Sequence, residues 1–498
     1  MNTLRIDNIT PKEAWKPLKP TSWNERNAKH LLLRIGFSAK PTEIQKSLDA
    51  GLEETIKKSF ANASIVPAPD GLKETIAGYR SLRQRQAGLS ELQRRELRQA
   101  QQKKNRGLIV ELNVNWLDHA AAPKNSAFEK WGLFWENVFV VTAQKVKNPA
   151  LLYQYQMILR SNSFKDFGSM AKAVSKTPAM ITFLDLQQNK KGNPNENFAR
   201  ELFELFMLGE GNYTEADIKE AAKAFTGYRQ IDGQFRFLKN QHESGKKTVF
   251  GQTGNWKGDD IVDLALEQPA ARLFVPRELC KHYLSDEIIP DEFLKPLGEA
   301  WAANDFDLSW LASTFFSSRL FYTSQFQGNK IKSPFEFFIG LLQDLELDLA
   351  PLPRSLIPAM RSMGQSYLNP PNVRGWVGGK HWINSATLIQ RRQIVEGLFS
   401  TSTRRKLNGD EERALEKAKT KASGKNQFFV TQDRSEAWAS LLPKERIAHF
   451  ANSWLVNPLE PKIEKSMIQF LNKNKNNPLP ATRSVAITLL QSPEYQLA

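Results

Sequence analysis

Apolar residues recur at the spacing of an amphipathic α-helix through most of this chain. Segments between residues 108 and 230, such as LIVELNVNWLDHAAA and FEKWGLFWENVFVVTA, place them at positions i, i+3, i+4 and i+7. One segment, QFRFLKNQHESGKKTVFG, looks different: Phe235 and Phe237 alternate with polar residues before a polar turn and a second run at 248–250. We therefore predict a mainly α fold, a multi-helix globular body with one small β-hairpin near residues 234–250.

Shifts in composition along the chain predict four regions. Residues 1–107 form an N-terminal helical region, in which 80–106 are rich in arginine and in strong helix formers and predict a basic arm. Residues 108–400 form a central helical domain that contains the hairpin. Residues 401–426 are highly charged and poor in apolar side chains, as in a linker. They lead to a small C-terminal helical segment at 427–498.

The composition restricts the class of protein. Of the 498 residues, 41% are hydrophobic and 24% are charged, which excludes a disordered or disulfide-stapled chain. The single cysteine, Cys280, cannot form an internal disulfide. We find no apolar run long enough for a membrane span and no apolar core of a secretory signal near the first residue. We therefore expect a cytoplasmic protein without a membrane span.

The net charge of +16 raises the question of an anionic partner. The basic arm between Arg80 and Arg106 has no aromatic residues on which bases could stack, so nucleic-acid binding is disfavoured. Two interpretations of the arm stay open. It is either a solvated helix or a surface that contacts an anionic polymer.

The segment GNPNENFARELFELF concentrates ionisable side chains on one predicted helix. Asn193 suits the N-cap and Pro194 the first helical position, so the helix is predicted to begin there. At about 100° per residue, five polar side chains fall within an arc of about 140°: Glu196, Asn197, Arg200, Glu201 and Glu204. This face is either solvent-exposed and stabilised by i,i+4 ion pairs, or it lines a cleft. In a cleft, neighbouring carboxylates differ in pKa and supply an acid and a base, or they hold a hard cation.

The segment LNPPNVRGWVGGKHWINS interrupts the helical pattern with prolines and glycines. Trp376 and Trp382 offer flat faces on which a sugar ring or a peptide could stack, and Asn372 and Arg374 offer hydrogen bonds. The alternative is that the tryptophans anchor an irregular loop to the helical body.

Several segments in the same order resemble the signatures of the bacterial family known as domain of unknown function 1800. They include WGLFWENVFVVTAQKVKNPALL, NPNENFARELFELFMLGEGNYTEADIKEAAKAFTGY and LNPPNVRGWVGGKHWINSATL, and the similarity covers nearly the whole chain. The resemblance implies a mainly helical fold and an alkaline-phosphatase-like partner protein. Many relatives carry export signals, so export with a partner also stays open. The family has no assigned activity.

The resemblance also bears on a metal site. In the family, the positions of Glu136 and Val138 commonly carry histidines, and the hairpin carries His-Asp where this chain has His242 and Glu243. Such a set would suit a divalent metal. Glu136 offers an oxygen ligand, but Val138 cannot coordinate a metal. The resemblance therefore leaves open an altered metal site or a degenerate, non-catalytic member.

The leading hypothesis is a polar carboxylate and arginine cleft that binds an anionic or carbohydrate-like ligand and acts on it as a hydrolase. In this mechanism Glu201 or Glu204 is the base, Arg200 holds an anionic group and His242 shuttles a proton. The complete candidate set is Glu196, Arg200, Glu201, Glu204, His242 and Glu243 for catalysis, with Asn195, Asn197, Asn372, Arg374, Trp376 and Trp382 for binding. The alternatives are a non-catalytic scaffold or partner subunit that binds an acidic protein or polymer, and nonspecific nucleic-acid binding. Whether the protein is an enzyme stays open.

Overall fold

The computed structural model describes residues 5–61, 64–72, 88–349, 353–399, 416 and 429–498. Within them the chain forms 23 α-helices and two small two-stranded sheets, so the predicted mainly α fold is confirmed. Apart from Glu416, the predicted linker at 401–426 lies outside the described residues, as do residues 80–87 of the basic arm.

The helices of the described ranges follow one another through the whole chain. They are α1 (Pro11–Ala14), α2 (Glu25–Ile35), α3 (Pro41–Ala50), α4 (Leu52–Ala61), α5 (Glu91–Ala121), α6 (Pro123–Val138), α7 (Ala143–Val146), α8 (Pro149–Asn162), α9 (Phe167–Ser175), α10 (Pro178–Phe183), α11 (Asn197–Glu201), α12 (Glu215–Ala224), α13 (Gly258–Leu266), α14 (Ala271–Leu279), α15 (Asp291–Ala303), α16 (Leu308–Ser317), α17 (Pro334–Asp344), α18 (Pro353–Ser362), α19 (Ser385–Phe399), α20 (Gln432–Ala439), α21 (Pro443–Trp454), α22 (Pro461–Lys473) and α23 (Pro478–Leu490). A π-helical segment continues α11 at Leu202–Met207, and another continues α14 at Cys280–Leu284. None of these helices is both long and apolar enough to cross a lipid bilayer.

Proline and side-chain caps begin many of these helices, because the first helical position needs no backbone N–H. At α8, Pro149 follows Asn148, whose Oδ1 accepts the backbone N–H of Ala150. At α17, Pro334 follows Ser333, which forms a reciprocal capping box with Glu336. This second cap matters for the site, because Ser333 and Glu336 both line the pocket described below.

The strands form two hairpins, not one. The antiparallel pairs are β1 (Tyr228–Ile231) with β2 (Gln234–Phe237), and β3 (Lys247–Val249) with β4 (Gln252–Gly254). The predicted pairing of the Phe235–Phe237 run with residues 248–250 is therefore wrong.

The reason lies in two turns. Asp232 and Gly233 both have positive φ angles, 50° and 76°, and they join β1 to β2 by a two-residue turn. Phe250 and Gly251, with φ of 50° and 77°, join β3 to β4 in the same way. Two-residue turns with positive φ match the twist of antiparallel strands. Each strand therefore pairs with the strand next to it in sequence, β1 with β2 and β3 with β4.

Helix α6 is buried on nearly all sides and lies within the aromatic core. Its Trp131 and Trp135 are fully buried and pack edge to face. It also carries the charged side chains Glu129, Lys130 and Glu136 into the interior. Since a buried charge is costly unless it is paired, each of these residues needs a partner in the interior.

The described part of the basic arm is the first half of α5. Almost every residue from 91 to 107 is exposed, and Leu108 is the first buried one. Both interpretations of the arm stay open, since this exposure suits a solvated helix and a surface that contacts an anionic polymer alike.

Candidate functional site

The polar face of α11 lies at the surface and is saturated with ion pairs. The helix begins at Asn197, not at Asn193, because Asn195 accepts the backbone N–H of Asn197 through Oδ1 and donates its own N–H to Asn189. These bonds hold a short extended turn before the helix. Asn197 also donates through Nδ2 to the Leu184 carbonyl. Asn195 and Asn197 are thus both used to shape the backbone.

Arg200 is held by two carboxylates. Its guanidinium donates to both oxygens of Glu215 at 2.7 Å and to Glu196 at 3.4 Å, and 34% of its side-chain area is exposed. The hydrogen bonds that it donates to Glu215 raise the pKa of Arg200 above its usual range. Because the guanidinium already pairs with Glu196 and Glu215, it has little remaining capacity to bind an anionic ligand.

Glu204 lies in the π-helical continuation of α11 and connects it to the segment that carries Trp376 and Trp382. Its oxygens accept the Tyr213 hydroxyl at 2.6 Å and the Arg374 guanidinium at 2.8 Å. Arg374 also donates to Glu210, which is exposed. Burial, followed by the charge of Glu204, raises the pKa of Glu201 above its ordinary value. The structure therefore brings together Glu201, Glu204 and Arg374.

His242 belongs to a different environment. Its buried ring lies 3.0 Å through Nδ1 from the Thr226 carbonyl and packs against Phe237. Burial lowers its pKa, and the charged groups that influence it are Lys247, Lys257 and Glu243. None of these groups lies on α11. Glu243 donates its backbone N–H to the Thr226 hydroxyl. The hydrogen bonds and charges around His242 do not connect it to the acidic face.

The segment at 368–384, which we call the Trp loop, forms one wall of a small pocket. Asn372 accepts the backbone N–H of Arg374 and fixes the turn. Trp376 and Trp382 are 6% and 7% exposed, and both line the pocket. Trp376 donates its backbone N–H to Asn137 Oδ1 on α6 at 2.7 Å. The Trp loop is thereby attached to the central helix.

The pocket, which we call the Trp pocket, combines residues from elements far apart in sequence. Its wall includes Lys130 and Asn137 of α6, His282 after α14, Glu336 of α17, and Trp376 and Trp382. The space open to water-sized molecules is about 60 Å³. Since one water needs about 10–15 Å³ on this measure, the pocket holds a few waters or one end of a ligand.

Two ion pairs lie at the Trp pocket, and Lys130, Lys330 and Glu336 are the members that line it. Lys130 Nζ lies 2.6 Å from Glu336 Oε1, and Lys330 Nζ lies 2.6 Å from Asp286 Oδ1. Burial alone would raise the pKa of Glu336, but Lys130 and Lys330 hold it well below its usual range. Burial lowers the pKa of His282 to about 3. The imidazole is therefore neutral at physiological pH, and the carboxylate is ionised.

One polar atom at the Trp pocket has no partner. The indole Nε1 of Trp376 is sealed from bulk water and makes no hydrogen bond within the described residues. A buried N–H without an acceptor costs free energy, so an acceptor on a ligand would stabilise it. Of the sequence-derived candidates, Trp376 and Trp382 are the ones that line this pocket.

A second buried network lies along another side of α6. Glu129 pairs with Arg160 at 2.5 Å and accepts the indole N–H of Trp116 at 2.9 Å. Arg160 also lies 3.6 Å from Glu136, which accepts the Tyr367 hydroxyl at 2.8 Å. Burial raises the pKa of Glu136 to about 7. Its second oxygen, Oε2, has no partner among the described residues.

Glu136 thus lies in a network of arginine and tyrosine, and Val138 is buried in the apolar core. Within the described ranges, no three or more His, Cys, Asp or Glu side chains converge as a metal site requires. Sequence reasoning did not select Lys130, Glu129 or Glu336. The available signal was a charged residue inside an otherwise apolar helix, which predicts a buried ion pair but not its partner.

Fold and pocket together define a mainly α-helical protein with a small, charged and tryptophan-walled pocket. A family described as protein of unknown function (DUF1800) matches residues 30–497, and the chain belongs to this family. The resemblance seen in the sequence motifs is therefore confirmed. No curated protein and no solved structure matches the chain.

Proposed function

We propose that this protein binds a small polar ligand, of the anionic or carbohydrate-like class, in the Trp pocket. The observation that carries the proposal is the indole N–H of Trp376, which is buried at this pocket without an acceptor. Ligand sites commonly combine aromatic walls with a few well-placed polar groups. The Trp pocket has this composition, since two indoles line it together with the ion pair of Lys130 and Glu336.

The same contacts argue against hydrolysis on the acidic face of α11. A hydrolase there would need a free base and a free anion-binding group. Glu204 already accepts hydrogen bonds from Tyr213 and Arg374, and Arg200 is bidentate to Glu215. We therefore assign these groups a structural role, with Glu204 and Arg374 holding the Trp loop in place.

The proposal is tested by a ligand screen on the full-length chain. Anionic and neutral sugars and small organic acids are added, and stabilisation is measured by thermal unfolding, because a ligand that binds the folded state raises the melting temperature. We expect Trp376→Phe to abolish the shift and Glu201→Gln, at the other candidate base of the acidic face, to retain it. A ligand whose effect survives Trp376→Phe but is lost with Glu201→Gln would transfer the site to the acidic face.

We also propose a second function, in which the protein is a partner subunit whose basic arm contacts an acidic protein. The support is the exposed first half of α5, which projects Arg94, Arg95 and Arg98 into solvent without burying apolar surface there. An acidic partner would neutralise these side chains. The alkaline-phosphatase-like partner implied by the family resemblance is the first candidate to test.

Two variants test this second function. One reverses the charge of these three arginines, and the control carries the same number of charge reversals on α22. We expect the arm variant alone to lose retention on an acidic polypeptide column at low salt, and the difference from the natural chain to disappear at high salt, where the ionic contact is screened. Retention of the arm variant at every salt concentration contradicts it. Retention on nucleic acid instead would favour the polynucleotide alternative.

The expected cytoplasmic location stays a prediction, which fractionation of expressing cells tests.

A further inference from the structure

The polar groups at the Trp pocket that retain hydrogen-bonding capacity are mainly donors. Asn137 Oδ1 accepts the backbone N–H of Trp376 at 2.7 Å, and Gln365 Oε1 accepts the backbone N–H of Phe335 at 3.0 Å. These bonds fix the orientation of both amides, since only the oxygen can accept. Each amide therefore turns its NH₂ group away from the backbone. Asn137 and Gln365 both line the Trp pocket, as does Trp376 with its unpaired indole N–H.

The carboxylates that pair with Lys130 and Lys330 are already occupied. Glu336 accepts Lys130 through one oxygen and the backbone N–H of Ser333 through the other. Asp286 accepts Lys330 through Oδ1 and the backbone N–H of Ile331 through Oδ2. A ligand that enters the pocket thus meets several unused donors. Among the side chains that line it, the unused acceptors are the partly exposed carboxylate of Glu278, whose Oε2 lies 3.6 Å from Lys281 Nζ, and one nitrogen of the neutral His282 ring.

The charge around Glu336 also favours an anion. Buried cations outnumber carboxylates among the side chains in and beside the pocket: Arg34, Lys130, Lys330, Lys332 and Arg391 against Glu278, Glu336, Asp286 and Asp344. All five cations are at least nine-tenths buried. Arg34 leaves Nε and Nη1 without hydrogen-bond partners within the described chain. A buried surplus of positive charge is costly, and an anionic ligand would reduce that cost.

The form of the donors distinguishes a carboxylate from a phosphate. Phosphates are commonly held by free backbone N–H groups at a helix N-terminus or by arginine forks. The N-terminus of α17 lies at this pocket, but Gln365, Ser333 and Glu336 already satisfy its first N–H groups. What remains is a set of neutral N–H donors beside aromatic walls, in a space of about 60 Å³. This set suits a flat, singly charged group.

We infer that the Trp pocket receives a carboxylate group of its ligand, which accepts hydrogen bonds from Trp376 Nε1, Asn137 Nδ2 and Gln365 Nε2. The inference rests on the proposed function and decides between its two ligand classes. A sugar acid or another organic acid fits, whereas a neutral sugar lacks the charge and needs acceptors for its hydroxyl groups.

The test is calorimetric titration of the full-length chain with four probes: acetate, galacturonate, galactose and inorganic phosphate. We expect heat of binding with the two carboxylates and none with galactose. Gln365→Glu and Asn137→Asp each keep the oxygen that accepts the backbone N–H and replace the donor by a negative charge. Each should weaken carboxylate binding at least about tenfold. Having two such variants protects the test if one fails to fold.

The control is Asn24→Asp, the same chemical change at the N-cap of α2, where Oδ1 accepts the N–H of Asn27. It should leave the affinity unchanged. The carboxylate inference is overturned if galactose and galacturonate bind equally well, or if phosphate binds better than the carboxylates. In either case the proposed function stands if Trp376→Phe abolishes the binding. If none of the four probes binds, the carboxylate inference fails, and the proposed function then depends on the wider ligand screen alone.

Discussion

Two groups of charged residues in this protein differ in what surrounds them. On α11, Arg200 and its carboxylate partners are partly exposed, and water screens their interactions. On α6 and its neighbours, Glu129 and Arg160 pair in the core, where an unpaired charge has no solvent to stabilise it. Similar side chains therefore contribute little to stability as surface ion pairs in one place, whereas in the other the loss of one partner is strongly destabilising.

The largest expected effect comes from breaking the buried pair. Arg160→Met keeps most of the side-chain volume but removes the arginine that pairs with the buried Glu129, which leaves this carboxylate with His119 at 3.6 Å as its nearest basic group. We expect the free energy of unfolding to fall by about 3–5 kcal/mol, as is typical when one partner of a buried pair is removed. Chemical denaturation at pH 7 measures the loss.

The second effect is a pH dependence that originates at Glu136. Its folded pKa of about 7 exceeds the ordinary value of 4.5, so the folded state binds the proton more tightly than the unfolded state. The resulting stabilisation is complete below pH 4.5 and is lost as the pH rises through about 7. The difference amounts to roughly 3 kcal/mol, at about 1.4 kcal/mol for each pH unit.

Glu136→Gln removes this titration and keeps the oxygen that accepts the Tyr367 hydroxyl. The variant should be more stable than the natural chain at pH 8 and close to it at pH 4.5, as measured by urea unfolding at both values. Parallel stability curves for the two proteins across this range would show that Glu136 does not titrate there.

The third effect concerns the attachment of the Trp loop to α6. Gly375 has a φ of +78°, and a Cβ at this position would lie 2.3 Å from Asn137 Oδ1. Gly375→Ala should therefore cost about 1–3 kcal/mol from backbone strain and overpacking together. Gly211→Ala is the matched control, since Gly211 has a φ of +80° and open space around its Cβ position. Equal losses in the two variants would mean that the contact with Asn137 contributes nothing.

The smallest effect is expected on the acidic face. Arg200→Met, the same substitution as in the core, should cost less than about 1 kcal/mol, because partly exposed ion pairs contribute little. Denaturation alongside Arg160→Met makes the comparison direct. A loss at Arg200 as large as that at Arg160 would remove the distinction between the two groups.

The sequence predicted the parts of this account that depend on local spacing. Helical periodicity predicted the mainly α fold, and aromatic residues in a loop of glycine and proline identified Trp376 and Trp382. The hairpin pairing differs from the prediction because Asp232 and Gly233 form an earlier two-residue turn, which pairs β2 with β1. The Trp pocket could not be predicted, since Lys130, His282 and Glu336 come from separate helices and meet only through tertiary packing. The predicted acidic face is divided between the N-cap residue Glu196, the short helix α11 and the π-helical segment that contains Glu204, and nothing in its spacing revealed that Glu215 and Arg374 would neutralise it.

The central claim is that ligand recognition occurs at the Trp pocket and not on the acidic face of α11. Indole ¹⁵N–¹H spectra of the full-length chain, with the Trp376 signal identified by Trp376→Phe, test it during titration with a binding carboxylate. The account predicts that the Trp376 signal moves with the ligand concentration, as expected when its unpaired N–H gains an acceptor. A bound ligand that leaves the Trp376 signal unchanged would contradict the account.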